Sequence, residues 1–394
     1  MTAYRPGIEA EACAVIADAA ARGTPLCIAG GGTKAEIGRP AQGEATLSAA
    51  GLDGITLYEP AELVIAARAG TPLAEIERTL AEKNQRLPFE PPDHRALLGS
   101  AGEPTIGAVA AANLSGPRRI QAGAVRDSLI GVRLVNGRGE VVRSGGRVMK
   151  NVTGLDLVKL MAGSWGTLGL ITEVTFKVLP EAERVATLLL PGLDDARAIE
   201  ALCAAVASPF EVTGAAHLPV ALGQEARTLI RIEGFSFSVD YRLGELRRLL
   251  RRFGAAEVLE GAVADALWCA VRDAMPLAEP RDKVLWRIST APKRGPALAL
   301  SIAQRLEARW FYDWSGGLVW LATEPSGDAG AAVVRAAVKQ AGGHATLIRA
   351  PAEVRAAVEV FEPLPEPLMR VTRDIKAAFD PARIFNPGRM YAGI

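Results

Sequence analysis

The chain has 394 residues, 49% of them hydrophobic, with 45 Lys and Arg against 44 Asp and Glu, a formal net charge of +1. A chain of this length buries one large or two ordinary cores. Near-neutral charge and only 5% aromatic residues exclude a phosphate-tracking or base-stacking nucleic-acid surface. Cys13, Cys27, Cys203 and Cys269 are scattered without a C-x-x-C pair, so they read as small core residues, with neither a disulfide framework nor an iron–sulfur site. Met1-Thr2-Ala3-Tyr4-Arg5-Pro6 is not a basic segment leading into an apolar core, and no uncharged apolar run reaches membrane-spanning length. The expectation is a soluble, cytoplasmic protein.

Residues 8–22 are Ala-rich and stop at Gly23, which predicts a helix. It feeds Pro25-Leu26-Cys27-Ile28-Ala29, an apolar run too short for a stable helix and opened by proline, hence a buried strand. The strand runs into Gly30, Gly31 and Gly32, then Thr33 and Lys34. Glycine tolerates positive φ and has no Cβ, so successive N–H groups can turn toward one anion, while Thr33 adds a hydroxyl and Lys34 a charge. The spacing is not that of a P-loop. Gly30-x-Gly32-x-x-Ala35 formally fits a dinucleotide fingerprint, but that motif needs a helix at the glycines, and Gly38 with Pro40 would stop one within about a turn. Taken alone, the stretch is either a phosphate cradle of another kind or a plain surface turn.

Strands are expected at 46–48, 55–58 and 63–67, and Thr71-Pro72 opens a helix with Leu73, Ile76 and Leu80 on one face. Residues 87–92 are too proline-rich for either element. Thr105-Ile106-Gly107-Ala108-Val109-Ala110-Ala111-Ala112-Asn113-Leu114-Ser115-Gly116 offers small residues either to a flat ligand or to a close-packed helix. Residues 125–135 and 140–143, joined by Asn136-Gly137-Arg138-Gly139, read as a hairpin. A third glycine-rich region, 150–156 and 163–173, leads to a strand at 174–179 ending at Pro180.

These regions, in this order, resemble the FAD-binding domain of the vanillyl-alcohol-oxidase superfamily (the PCMH type) over residues 1 to about 180, and again at Phe379-Asp380-Pro381-Ala382-Arg383-Ile384-Phe385-Asn386-Pro387-Gly388-Arg389. The resemblance implies non-covalent FAD, with Gly30, Gly31, Gly32, Thr33 and Lys34 at the pyrophosphate. It also implies that Thr105, Gly107, Asn113, Ser115, Gly116, Gly169, Ile171 and Asn386 contact the cofactor. Within the superfamily the chain is similar to the smaller flavin-type subunits of three-subunit bacterial glycolate oxidases. The carriers are Asn113-Leu114-Ser115-Gly116-Pro117-Arg118-Arg119, Gly123-Ala124-Val125-Arg126-Asp127, Val148-Met149-Lys150-Asn151, Asp313-Trp314-Ser315-Gly316-Gly317 and Gly342-Gly343-His344. That similarity implies oxidation of glycolate, a small 2-hydroxy acid, to glyoxylate. The implied partners are a larger FAD-binding subunit and an iron–sulfur subunit, with any membrane contact peripheral and made through the complex. Two other roles stay open: a self-sufficient FAD-dependent hydroxy-acid or alditol oxidase, and a catalytically silent flavin-binding scaffold.

The fold class expected is α+β and two-lobed: a PCMH-type FAD-binding domain over 1–180, an α+β cap over 181–365, and a C-terminal segment, 366–394, returning to the FAD domain. Cap strands are expected at 185–190, 229–232, 284–289, 317–322 and 345–349. Helices are expected at 194–207, 238–253, 264–275, 295–308 and 328–341, an alternation like βαβ that hints at two similar halves. The helix at 238–253 carries Arg247, Arg248, Arg251 and Arg252 on its polar side, either solvated or docked to something acidic. Oxidising a hydroxy acid needs a base near the hydroxyl and a cation for the carboxylate. The only histidines are His94, His217 and His344, none at metal-ligand spacing from another, so no metal is expected. His344, which opens a cap strand, is the candidate base; Arg287, Lys293 and Arg294 are candidate carboxylate holders.

Overall fold

The computed structural model describes residues 2–146, 154–222 and 225–394. The first lobe holds two main sheets and a two-stranded antiparallel pair, Gln85–Arg86 with Leu179–Pro180. Thr2–Tyr4, Ala45–Ser48 and Leu26–Ala29 form a parallel three-stranded sheet with Ala45–Ser48 in the middle. The helix Glu9–Arg22 stops where Gly23 takes the left-handed conformation (φ 65°), returning its N–H to the helix end. An antiparallel sheet runs in the order Ile55–Glu59, Val64–Arg68, Leu170–Lys177, Leu129–Val135, Val141–Gly145. Ile65, Ala67, Val132, Leu134, Val174 and Phe176 pack from it into the lobe's core. The hairpin strand starts at Leu129 instead of 125, because Val125–Ser128 is a helical turn. Its connection is closed by the Asn136 side chain, which accepts from the N–H groups of Arg138 (2.9 Å) and Glu140 (3.1 Å). The small-residue run is a helix, Ile106–Ala112, ended by Asn113 at φ 50°. Thr71 does not cap the following helix, Leu73–Ala81; its hydroxyl donates to the Arg68 carbonyl instead.

The second lobe is one eight-stranded, wholly antiparallel sheet. Its order is Glu257–Leu259, Arg184–Pro191, Arg227–Gly234, Val212–Leu218, Ala308–Asp313, Leu318–Thr323, Val284–Ser289, His344–Arg349. The alternation of elements therefore does not mark a parallel sheet. Each half reads strand, helix, strand, strand, helix, strand, and the two halves meet edge to edge through His217 opposite Tyr312. The strands Val212–Leu218, Glu257–Leu259 and Ala308–Asp313 go beyond the elements expected from sequence. The last of these cuts the anticipated helix short at Ala303. The helices Asp195–Val206, Ser236–Leu250, Gly295–Ala303 and Ala331–Ala341 cover one face over Ile230, Ile232, Trp286, Val319 and Leu347. The other face, with Leu285, Phe311, Trp314 and Trp320, packs on Ile37, Leu97, Ala112 and Leu114 of the first lobe. Of the cysteines, three are half-buried and Cys269 is exposed, so none is a fully enclosed core residue.

A buried ion network ties the lobes together. Glu90 receives both Arg231 Nη atoms at 2.8 Å and the Arg118 N–H at 2.6 Å, and Glu233 receives Arg118 and Arg86 at 2.7 Å each. Arg231 also lies over the Trp268 ring, 4.6 Å from its centroid. Burial alone would raise the Glu90 carboxyl, but Arg231 and Arg118 outweigh it and hold it at about 2. Glu90→Gln leaves a buried cation under-compensated, and the expected loss is about 3–5 kcal/mol of stability in a urea titration. The pH sign follows from a depressed carboxyl. This stabilisation is complete above the ordinary value of 4.5 and is lost as pH falls from there toward 2. The variant should therefore show a flatter acid limb.

Candidate functional site

The strand Leu26–Ala29 delivers the glycines to the floor of a cleft. Residues 30–40 form turns and no helix, with Ala35 N–H on Gly32 O (3.2 Å) and Ile37 N–H on Lys34 O (3.1 Å), so the dinucleotide-fingerprint match has no helix to support it. A Cβ on Gly31 would fall inside the radius of the Glu103 carbonyl oxygen, and one on Gly102 inside that of the Gly31 carbonyl. Two backbones thus touch without side chains between them. Gly30 sits equally close to the Thr105 hydroxyl, and Gly107 to Ala69. Among the described residues, the N–H groups of Gly31, Gly32, Thr33 and Lys34 donate to no protein acceptor. The Thr105 hydroxyl is buried without a partner. A row of free N–H groups beside an orphaned hydroxyl and a lysine is a donor set that fits a diphosphate.

The cleft is open to solvent on one side, and Gly30, Gly32, Thr33, Lys34, Gly107, Gly169 and Ile171 line it together. Ala69, Ala108, Ala111 and Trp165 complete a smooth, largely apolar wall that fits a planar ring system. Gly31 and Thr105 stand in the seam behind. Asn113, Ser115, Gly116 and Asn386 are elsewhere, already engaged with protein. Asn113 Oδ1 accepts from Arg126 N–H (3.1 Å), Ser115 Oγ from Val125 N–H (3.1 Å), and the Gly116 carbonyl from Trp314 Nε1 (3.1 Å). Asn386 is fully buried; it accepts from Ile28 N–H and donates to the Trp165 carbonyl, both at 2.8 Å. It joins the glycine strand to the third segment. Lys376 does similar work in the tail, donating to the carbonyls of Thr167 (2.7 Å) and Phe385 (2.8 Å) and pairing with Asp380 (2.7 Å). Arg389 closes the cleft's edge by donating to Lys34 O at 2.9 Å, and burial pushes its guanidinium down to about 10. The motif Val148-Met149-Lys150-Asn151 lies outside the described residues.

The cap presents cations to the seam between the lobes. Arg287 and Trp320 are cross-strand partners, as are Ser289 and His344. Trp314 receives two guanidiniums over its ring: Arg119, from the first lobe, at 4.7 Å and Arg287, from the cap, at 4.9 Å. Both are half-buried, and neither has a hydrogen-bond acceptor among the described residues. Burial, then the charge of Arg119, pushes Arg287 down to about 10. Two desolvated arginines without a carboxylate suit a small carboxylate ligand. Lys293 and Arg294 are exposed on a turn and take no part.

His344 is exposed at the start of the edge strand, and partial desolvation of its imidazole, then the positive charge of Arg287, lower it. Asp313 is the carboxylate at the seam. It is 2% exposed, accepts from Trp314 N–H at 2.7 Å, and is raised by burial to about 7. Arg119 and Asp313 stand in motifs that carry the resemblance, but their role escapes a reading of motifs, because what distinguishes them is their enclosure around Trp314. No group of three His, Cys, Asp or Glu able to hold a metal occurs among the described residues.

Comparison with known proteins agrees with this geometry. Residues 3–145 match the FAD binding domain family, and residues 359–390 match the C-terminal domain of FAD linked oxidases. The chain is 37% identical over 370 residues to glycolate oxidase subunit GlcE of Escherichia coli K12, covering 94% of this chain and 93% of that one. It is 26% identical to glycolate oxidase subunit GlcD of Bacillus subtilis, covering 94% and 82%. A D-2-hydroxyglutarate dehydrogenase of Xanthomonas citri is 30% identical over 48% of this chain and 39% of its own. Among solved structures, 4-ethylphenol oxidase from Gulosibacter chungangensis superposes with a TM-score of 0.74 at 13% identity, covering 99% of this chain and 89% of that one. p-Cresol methylhydroxylase does so with a TM-score of 0.74 at 12% identity, over 99% and 88%. At such identities these two bear on the fold alone.

Proposed function

The chain belongs to the FAD-linked oxidoreductase family of glycolate oxidase subunit GlcE, and from that premise we propose that it is the FAD-carrying subunit of a multi-chain glycolate oxidase. The observation that carries the proposal is the seam of backbone between Gly31 and Glu103, with its free N–H row facing a cleft of smooth walls. In this reading Gly31, Gly32, Thr33 and Lys34 hold the diphosphate, Thr105 donates its free hydroxyl, and Gly107, Gly169 and Ile171 border the ring system. Asn113, Ser115, Gly116 and Asn386 shape the walls without reaching the cofactor. Bound FAD supplies an acceptor for the hydride from the carbon that bears the hydroxyl.

The chain's own residues do the rest. Arg119 and Arg287 hold the substrate carboxylate, one from each lobe, so binding also fixes the cap over the cleft. Oxidation of glycolate to glyoxylate releases a hydride and a proton, and the proton needs a base. In this reading neither His344, exposed on the sheet edge, nor Asp313, enclosed and bonded to the Trp314 N–H, serves among the described residues as an open base beside the arginines. We therefore assign substrate oxidation to the assembled complex, with an iron–sulfur partner as electron outlet and the cytoplasm as location. No described helix is long and apolar enough to cross a membrane; in this reading any membrane contact runs through partners.

No cysteine, histidine or tyrosine is among the described residues lining the cleft, and Cys27 turns its thiol toward the Ala41 carbonyl. FAD should accordingly be held without a covalent bond. Acid precipitation of the purified yellow chain is expected to leave the colour in the supernatant. A yellow pellet would contradict the proposed cradle chemistry.

A further inference from the structure

The cleft's lysine is unsatisfied, and so is His94, which opens the helical turn Arg95–Leu98 on a segment tied to the glycine loop by Ser100 Oγ donating to the Thr33 carbonyl at 3.1 Å. His94 is 1% exposed, and neither ring nitrogen has a hydrogen-bond partner. Its ring stands edge-on to Trp320, centroids 5.6 Å apart, and Trp320 is the cross-strand neighbour of Arg287. Lys34 is 8% exposed, and its ammonium has no hydrogen bond or ion pair among the described residues. The carboxylates near it are spoken for. Arg95 grips Asp93 through two contacts of 3.0 and 2.8 Å, and Arg272 grips Asp273 through two of 2.8 Å. Burying an imidazole and an ammonium without acceptors costs several kcal/mol in total, a cost a folded chain retains where a ligand offsets it.

We propose that Lys34 and His94 together form an oxyanion-binding pair, at the point where the glycine loop meets the cap sheet, beyond the backbone cradle itself. Lys34 supplies the charge. His94 supplies a neutral N–H donor: burial, then the positive charges of Lys34 and Arg287, push its imidazole down to about 3, so it stays uncharged at neutral pH. A neutral donor beside a cation is selective. It rewards an oxygen acceptor and tolerates no second cation. The oxyanion is either a phosphate of the bound dinucleotide or the carboxylate of a hydroxy acid lying between the cradle and Arg287. The pair rests on the proposed function only for the identity of these two ligands.

The test uses the full-length chain and two affinities: FAD, by quenching of flavin fluorescence, with riboflavin as the phosphate-free control; and oxalate, by perturbation of the flavin spectrum of the FAD-loaded chain. Lys34→Met and His94→Leu should each weaken the same one of the two ligands by about ten-fold or more. Riboflavin binding should stay as in the parent, and added salt should shrink the Lys34→Met difference. Loss in the FAD arm assigns the phosphate, and loss in the oxalate arm assigns the carboxylate. Lys34→Arg and His94→Gln, which keep a cation and a neutral donor, should restore most of the affinity; a packing role for His94 would not separate Gln from Leu. Parent-like affinity for both ligands in both variants overturns the pair, as does equal weakening of riboflavin. If the variants do not fold, the 15N resonances of the His94 ring in the parent chain decide: they must move when ADP or oxalate is added, and immobility with both overturns the pair. A parent chain that binds no FAD at all would instead sink the proposed function, leaving ADP and oxalate to test the pair.

Discussion

Gly31→Ala is expected to abolish FAD binding while leaving the fold in place. The new methyl would overlap the Glu103 carbonyl oxygen, and that oxygen belongs to backbone fixed by the adjoining Gly102 against Gly31 itself. The loop must therefore lift, and the free N–H groups of Gly31, Gly32 and Thr33 are displaced with it. Hydrogen bonds to a charged group contribute about 1.5–3 kcal/mol each. Losing two of them weakens binding by about 10²–10⁴-fold. Gly32→Ala is the control. Its φ of 81° strains an alanine, but a Cβ there meets nothing within 4 Å. Strain of about 1–2 kcal/mol should cost it no more than about thirty-fold. Flavin absorbance per chain after purification, with circular dichroism to verify folding, separates the two variants. Parent-like flavin content in Gly31→Ala would mean that the seam is not the cofactor's floor.

The glycine strand and loop were legible in the sequence because a proline-opened apolar run led into glycines that no helix could follow. Ile106–Ala112 was legible only as a pair of alternatives. The structure makes it both a packed helix and a wall of the cleft, since Gly107 abuts Ala69 while Ala108 and Ala111 line the space. Val212–Leu218 was missed because Gly214, Ala215 and Ala216 lack the side chains that advertise a strand; its burial on both sides makes small residues fit. Ala308–Asp313 was hidden behind the helix before it, whose last residues carry no stop signal such as glycine or proline. The duplication of the cap lives in strand order, which tolerates any sequence that keeps the pattern.

Site residues divide along the same line. Backbone roles, such as those at Gly30 and Gly107, leave a glycine in the sequence. Roles that depend on enclosure do not. Asn386 reads from sequence as a cofactor contact; in the fold its amide also joins Ile28 to Trp165, two residues of the cleft wall, which no local pattern announces. Arg119 stood in a motif without a role of its own, and its place over Trp314, a residue distant in sequence, shows only in the fold. Asp313 owes its raised carboxyl to burial that no local pattern announces.

Anaerobic reduction by glycolate separates a chain that oxidises substrate by itself from one that does so only in the proposed complex. In the proposed reading the FAD-loaded lone chain uses Arg119 and Arg287 for the carboxylate, and no open base serves beside them among the described residues. A missing general base costs about 10²–10⁴ in rate. Mixed with glycolate without oxygen, the lone chain should keep its yellow colour over the time in which the co-expressed complex is fully bleached. The two rates should differ by about that factor. His344→Ala should leave the slow rate of the lone chain where it was. Bleaching of the lone chain as fast as the complex, and lost in His344→Ala with FAD still bound, would contradict the account and make this chain the catalyst.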